Sequence, residues 1–304
     1  MESFNILLEQ LKQAEKDRQK FFSFSLNESL GNAKKNSLCP STFSQYFYNK
    51  SNNISNTKIA NKDLWTIFSF PSNKKYDKTW IFDADDTLWE DNYYFELIIK
   101  NFIQLLIEEG VTQSAQALRH MLDNIEKDVI SQFGFGPKSF HLSLEKMLAD
   151  LQDTCNIKTE KIKLLLDSVI PILTHLPHKV LEETISTLSI LKEKGDGLLL
   201  YTKGHFETQF SKIARSQLCH LFDGAAIVKD KTSKRLQEFI KLIPFETGQC
   251  TSVGNSLRSD ILPALEIGID AIYFDNPNSW HLENTQIPQK FNYETISSLT
   301  ELID

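Results

Sequence analysis

From about residue 198 the chain repeats one arrangement, a short apolar run followed by an amphipathic stretch. The runs are LLLYT (198–202), AAIV (225–228), TSVG (251–254) and AIYF (271–274), with helical patterns starting near 206, 232 and 259. Apolar runs of this length with helices between them predict a parallel sheet covered on both faces. A helix through Leu181, Ile185, Leu188 and Leu191 leads into the first of these runs and stops at Gly195. An earlier run at 79–82, inside TWIFDADDTLW (79–89), has the same character and belongs to the sheet as its first strand. The fold class is therefore α/β, with a long insertion between the first two strands.

That insertion, residues 92–180, reads as helical. Phe95, Ile98, Ile99, Phe102, Leu105 and Leu106 share one helical face, and Gly110 follows as a stop signal. Leu118, Met121, Leu122, Ile125 and Val129 repeat the pattern, and Leu164, Leu165 and Val169 start a helix expected to end before Pro171. Between them QFGFGPKSF (132–140) breaks the periodicity with Gly134, Gly136 and Pro137, and carries Lys138. Residues 1–75 form an extension, partly irregular through NKSNNISNTKIANK (49–62), with the apolar segment LWTIFSF (64–70) expected to dock on the main domain. The division expected is 1–75 for the extension, 76–91 with 181–304 for the sheet core, and 92–180 for the helical insertion.

Composition narrows the partners. At 304 residues and 41% hydrophobic content the chain can build real cores, and its net charge of −7 argues against a nucleic-acid surface. Cys39, Cys155, Cys219 and Cys250 form no CxxC pair and the seven histidines no zinc spacing, which fits reduced thiols. No apolar run approaches the roughly 18 residues of a membrane span, and the N-terminus carries no signal-peptide pattern. A cytoplasmic protein without membrane contact is expected.

The chemistry sits where open parallel sheets hold ligands, outside the carboxyl ends of the strands. The first strand delivers Asp83, Asp85 and Thr87; the second Thr202, Lys203 and Gly204; the third Lys231; the fourth GNSLRSD, with Asn255, Ser259 and Asp260. Crowded carboxylates repel and resist desolvation, so a bound cation is expected to compensate them. A carboxylate can attack phosphorus, a second one two residues on can move the proton, and a hydroxyl, an ammonium and backbone N–H groups can hold phosphoryl oxygens. The cation suited to such a site is Mg²⁺.

In this order, Asp83-x-Asp85-x-Thr87, Thr202, Lys231 and Asn255 to Asp260 resemble the four motifs of the haloacid dehalogenase-like (HAD) hydrolases, over about residue 76 to the end. The resemblance implies a Rossmann-like parallel core with an α-helical cap inserted after the first strand. It implies Asp83 as nucleophile, Asp85 as general acid and base, and Thr202 and Lys231 as phosphoryl ligands, with Lys203 and Gly204 beside them. Asp83, the backbone carbonyl of Asp85, Asp260 and Asn255 would surround Mg²⁺. Asp at position 85 points to phosphatases rather than dehalogenases or P-type ATPases. DDTLWEDN, FGFGPKSF and YTKG are also similar to one branch of these hydrolases. Family members often carry an acid where Asn255 stands; an amide accepts without charge, which weakens a metal site. Apart from the resemblance, the break at 132–140 reads either as an ordinary helix–helix turn or as a loop facing the site, with Lys138 or its neighbours contacting the substrate's leaving group.

The function expected is a Mg²⁺-dependent phosphatase acting on a small phosphate ester through an aspartyl-phosphate. Two other readings stay open on the sequence. One is a phosphotransferase or mutase with the same residues; the other is a non-catalytic scaffold that binds a protein through residues 1–75.

Overall fold

The computed structural model describes residues 64–68, 75–175, 178–243, 246–280 and 285–303, together with Glu9. Most of the expected N-terminal extension, including Cys39, lies outside the described residues. The chain divides into two compact units. One is Tyr93–Pro177, grouped with Met1–Asn36; the other is Ser37–Asn92 with His178–Asp304.

The core unit is built on β1 (Leu64–Phe68), β2 (Lys75–Phe82), β3 (Gly197–Lys203), β4 (Gly224–Val228), β5 (Glu246–Gly254), β6 (Asp270–Phe274) and β7 (Glu294–Ile296), in the order β1-β4-β3-β2-β5-β6-β7. Six strands run parallel, and β1 pairs antiparallel with β4 at one edge. The segment 64–68, read as a docking segment, is thus an edge strand. Side chains alternate across the sheet as the pleat requires. Trp80, Phe82, Leu198 and Leu200 join the cluster on one face, while Ile81, Leu199 and Tyr201 join the other. The first face is covered by Leu188 and Leu191 of a helix at Thr184–Glu193 and by Ile213 of one at Phe206–Ser216. The second is covered by Leu236 and Phe239 of Ser233–Leu242 and by Ala264 of Leu262–Glu266. Phe82 is fully buried, so Phe82→Ala is expected to cost about 3–5 kcal/mol.

β2 and β5 are longer than their apolar runs. Lys75, Tyr76 and Lys78 pair with Glu246, Thr247 and Gln249, which carries both strands outward beyond the rest of the sheet. Tyr76 still anchors inward, donating to the buried Asp223 carboxylate at 2.6 Å. β2 has β3 on one side and β5 on the other, so the strand order reverses direction at β2. In such sheets this is where a crevice opens at the carboxyl ends.

The helical unit contains α1 (Asn92–Glu108), α2 (Ala115–Phe133), α3 (Pro137–Gln152) and α4 (Glu160–His175); the core helices named above follow as α5 to α8. Their apolar faces close on one cluster that includes Ile98, Phe102, Leu106, Leu122, Leu144 and Val169. Ser114 caps α2 by accepting from the Ala117 amide at 3.2 Å. The break between α2 and α3 uses Gly134 and Gly136 at positive φ, with Pro137 at the first turn of α3. One expectation fails: α4 runs through Pro171. Pro171 removes one backbone donor, but the residues beyond it, Ile172 and Leu173, are buried in the cluster, and that burial offsets the loss.

Candidate active site

Asp83 follows β2 directly, and its amide donates to the Val253 carbonyl at 2.8 Å, extending the pairing with β5 by one residue. The chain then turns tightly, with the Leu88 amide on the Ala84 carbonyl at 2.8 Å and the Asp86 amide on the Trp89 carbonyl at 2.7 Å. Asp86 adopts φ 59°, rare outside glycine and tolerated by Asp. Its carboxylate accepts from the Asp91 and Asn92 amides at 2.8 and 3.0 Å, and its carbonyl from Asn276 at 2.6 Å. Burial, with the Asp91 charge adding to it, holds the Asp86 carboxyl well above the usual range. The third aspartate of the run therefore shapes the turn.

Lys231 lies just beyond β4, one residue before Thr232, which caps α7 by accepting from the Arg235 amide. Its neighbours Lys229 and Lys234 are exposed, whereas Lys231 is buried. Its Nζ touches Asp83 Oδ1, and Asp260 Oδ1 at 2.6 Å. Asp260 comes from a single π-helical turn, Leu257–Ile261, where a helix was expected. Its Oδ2 accepts from the Ser256 amide at 3.0 Å. Gly254 makes this possible, because a Cβ there would lie 2.3 Å from Asp260 Oδ2. Thr87 Oγ1 stands 3.1 Å from both Asp83 Oδ2 and Asn255 Oδ1, and accepts from the Asn255 amide. The far end of Asn255 donates to Ser279 at 2.8 Å.

Thr202 is buried at the end of β3 and accepts from Gln209 at 2.6 Å, leaving its own proton to donate. The Lys203 ammonium reaches Ser259 Oγ at 3.1 Å. Gly204 has φ 148° and donates its amide to the Val228 carbonyl at 2.8 Å. Asp83, Asp260, Asn255, Thr87 and Lys231 thus form one connected group. Thr202 and Asp85 form a neighbouring one through Gln209, which donates to both. Lys138 belongs to the helical unit, exposed in the first turn of α3.

Electrostatics separates the two leading carboxylates. Burial pushes Asp83 up to about 7; Lys231 pulls it down and Asp260 pushes it further up. One ammonium does not fully compensate this pair. Burial also acts against an ionised Asp85, but the Lys212 ammonium, helped by the Gln209 hydrogen bond, overcomes it and holds the group below its ordinary value. Asp85 Oδ1 accepts from the Trp89 indole at 2.7 Å, and Oδ2 from Gln209 and Lys212 at 2.9 Å each. Lys212 also touches Asp91 Oδ1 at 2.6 Å. Asp91, raised to about 6 by burial and then by Asp85, sits 3.4 Å from His178. Burial, helped by Lys212, pushes His178 down to about 3, so it stands beside Asp91 as neutral imidazole.

Gln209, Lys212 and Asp91 were not singled out in the sequence. Their signal was available in part. Gln209, Lys212, Ile213 and Ser216 share one helical face of α6, and all four are buried. A glutamine and a lysine on an apolar face need partners.

The oxygen donors fit a hard cation. Two carboxylates, Asp83 and Asp260, lie within reach of one point held by Lys231, with the Asn255 amide oxygen linked through Thr87. Among the described residues no three His, Cys, Asp or Glu side chains cluster as metal ligands. Two carboxylates are the number taken by an ion that keeps most of its waters, and the undercompensated Asp83 leaves room for a positive charge.

No protein-family model matches the chain. In sequence it is 26% identical over 229 residues to the glyceraldehyde 3-phosphate phosphatase of Methanocaldococcus jannaschii, across 74% of this chain and 94% of that protein. It is 27% identical over 135 residues to the N-acylneuraminate-9-phosphatase of Homo sapiens, across 42% of this chain and 53% of that protein. In structure it matches a haloacid dehalogenase-like family hydrolase from Xanthomonas campestris, with a TM-score of 0.59, 23% identity, and coverage of 75% of this chain and 93% of that one. It also matches the magnesium-bound HAD-hydrolase YfnB of Bacillus subtilis, with a TM-score of 0.51, 16% identity, and coverage of 75% and 97%. In fold the chain resembles haloacid dehalogenase-like hydrolases, and the relatives it resembles in sequence are phosphatases.

Proposed function

We propose that the protein is a Mg²⁺-dependent phosphatase that hydrolyses a small phosphomonoester through an aspartyl-phosphate. The observation that carries this reading is Lys231 bridging Asp83 and Asp260 at the carboxyl ends of β2, β4 and β5, where the strand order reverses. Asp83, the Asp85 carbonyl, Asp260 and Asn255 are assigned to the ion. When bound, Mg²⁺ supplies positive charge that lets a carboxylate approach a phosphate dianion.

The chain's own residues do the rest. An Asp83 carboxylate oxygen attacks phosphorus as the ester P–O bond breaks, and Asp85 in its acid form protonates the departing oxygen. Thr202, Lys231 and the backbone amide of Lys203 hold the phosphoryl oxygens, with Gly204 beside them. Water then attacks phosphorus, its proton goes to the Asp85 carboxylate, and the acyl-phosphate P–O bond breaks. Inorganic phosphate leaves, Asp83 is regenerated, and the proton on Asp85 serves the next leaving group. Lys212 beside Asp85 favours the ionised form, which is the form the water step requires.

Glyceraldehyde 3-phosphate and N-acylneuraminate 9-phosphate, the compounds in the relatives' names, head the substrates to test. Purified protein should release phosphate from p-nitrophenyl phosphate or from one of these with Mg²⁺ present. EDTA should stop the release and Mg²⁺ restore it. Release that is insensitive to EDTA would remove the ion from the proposal, and no release from any phosphomonoester would remove the phosphatase.

A further inference from the structure

Lys212 reaches from α6 to both Asp85 and Asp91. Its own side chain is 6% exposed, so the ammonium is out of water and satisfied only by what the fold supplies. It supplies Asp85 Oδ2 at 2.9 Å and Asp91 Oδ1 at 2.6 Å. Burying an ammonium is costly unless its partners are fixed, and these are. Asp91 holds its place through its amide on Asp86, and Asp85 through Trp89 and Gln209. Asp85 is otherwise the least constrained acid of the set, with a side chain 24% exposed. We propose that Lys212 is a positioning residue for Asp85, fixing its carboxylate between Trp89 and Gln209 and tying it to Asp91 ahead of α1.

The geometry explains why three donors converge on one carboxylate. A proton carrier that must meet first a leaving oxygen and then a water has to be held in one place. Trp89 fixes Oδ1, while Gln209 and Lys212 fix Oδ2. Gln209 also donates to Thr202, which sets the phosphoryl ligand and the proton carrier from the same side chain. Lys212 is the only charged donor of the three, and charge-assisted hydrogen bonds are the stronger kind.

The kinetic part of the test rests on the phosphatase reading; the spectroscopic part does not. Lys212→Met is expected to lower kcat about 10²-fold, the scale of acid–base catalysis, with KM within about twofold. In an Asp85→Asn background the same substitution should cost less than about twofold, because a residue acting through Asp85 has nothing left to position. Equal losses in both backgrounds, or a raised KM at unchanged kcat, overturn the proposal. The ¹H–¹⁵N indole resonance of Trp89, assigned with Trp89→Phe, should move in Lys212→Met and return in Lys212→Arg. An unmoved resonance overturns the proposal even if wild-type protein hydrolyses nothing. Should the single variant not fold, Lys212→Met/Asp91→Asn removes both members of the pair, leaves no unpaired charge at 91, and carries the same two measurements.

Discussion

The core unit and the helical unit each gather acids around a cation, and they do it differently. In the core, Lys231 lies between Asp83 and Asp260, and Lys212 between Asp85 and Asp91, with both ammonium groups out of water. In the helical unit, Arg119 meets Glu96 at 2.6 Å and Asp123 at 2.8 Å, but the Glu96 side chain is 44% exposed. A third acid, Glu126, is buried beside them, with Oε2 lacking any hydrogen-bond partner. Exposed pairs of the Arg119–Glu96 kind contribute little, about 0–1 kcal/mol. Buried pairs hold together only when both partners stay. The contrast teaches where this chain fixes its charges firmly: on the carboxylates that the proposed chemistry uses.

Five substitutions would break or sharpen that contrast. Asp83→Asn carries the largest effect, a fall in kcat on the order of 10³-fold or more with the fold retained. Turnover at the wild-type rate would remove Asp83 as nucleophile. Lys231→Met should follow, destabilising by about 3–5 kcal/mol in urea denaturation, because two buried carboxylates lose their counter-ion. Arg119→Met, whose partner Glu96 is part-exposed, should cost less; equal costs would erase the difference between the units.

Glu126→Gln comes next. Burial pushes Glu126 up to about 7 from 4.5; Arg119 pulls it down, and Asp123 and Glu96 push it up. The raised value means the folded protein binds a proton that the unfolded chain releases from about 4.5 upward. Stability from this group is therefore present at low pH and lost as pH rises from about 4.5 through about 7. Glu126→Gln should stabilise by about 1–3 kcal/mol at pH 8 and change little at pH 4. A thermal midpoint that shifts equally at both values would show that Glu126 is not the titrating group. The smallest effect is expected from Lys138→Ala, a rise in KM of about threefold with Mg²⁺ dependence unaltered. An unchanged KM on every substrate would release Lys138 from the leaving-group assignment.

Much of the core could be read in advance, because its strands are short apolar runs and its helices keep a period. Strand residues 198–202, 225–228 and 271–274 were visible as such. The outer halves of β2 and β5, KYDK and ETGQ, were not, since apart from Tyr76 they carry no apolar side chain. β7 is three residues long and carries no pattern of its own. At the site, Asp83, Thr202, Lys231 and Asp260 were legible from their order at strand ends. What was hidden is what needs three dimensions. Asp86 turned out to serve the turn, and Lys212, Gln209 and Asp91 come from separate segments that meet only on folding.

The insert leaves and re-enters the core over a very short span. Glu90 donates its amide to the Lys179 carbonyl at 2.8 Å, Leu181 donates to Leu88 at 3.0 Å, and Trp89 and Val180 form an antiparallel bridge. Two chain ends already paired in this way need only a turn of about 2–5 residues to be joined. At the level of the gene, 93–177 is therefore a cassette: it can be cut out, lengthened or exchanged for another sequence at one seam. Shuffling libraries built across that seam would exchange the helical unit while leaving Asp83, Lys231 and Asp260 in a single uninterrupted module.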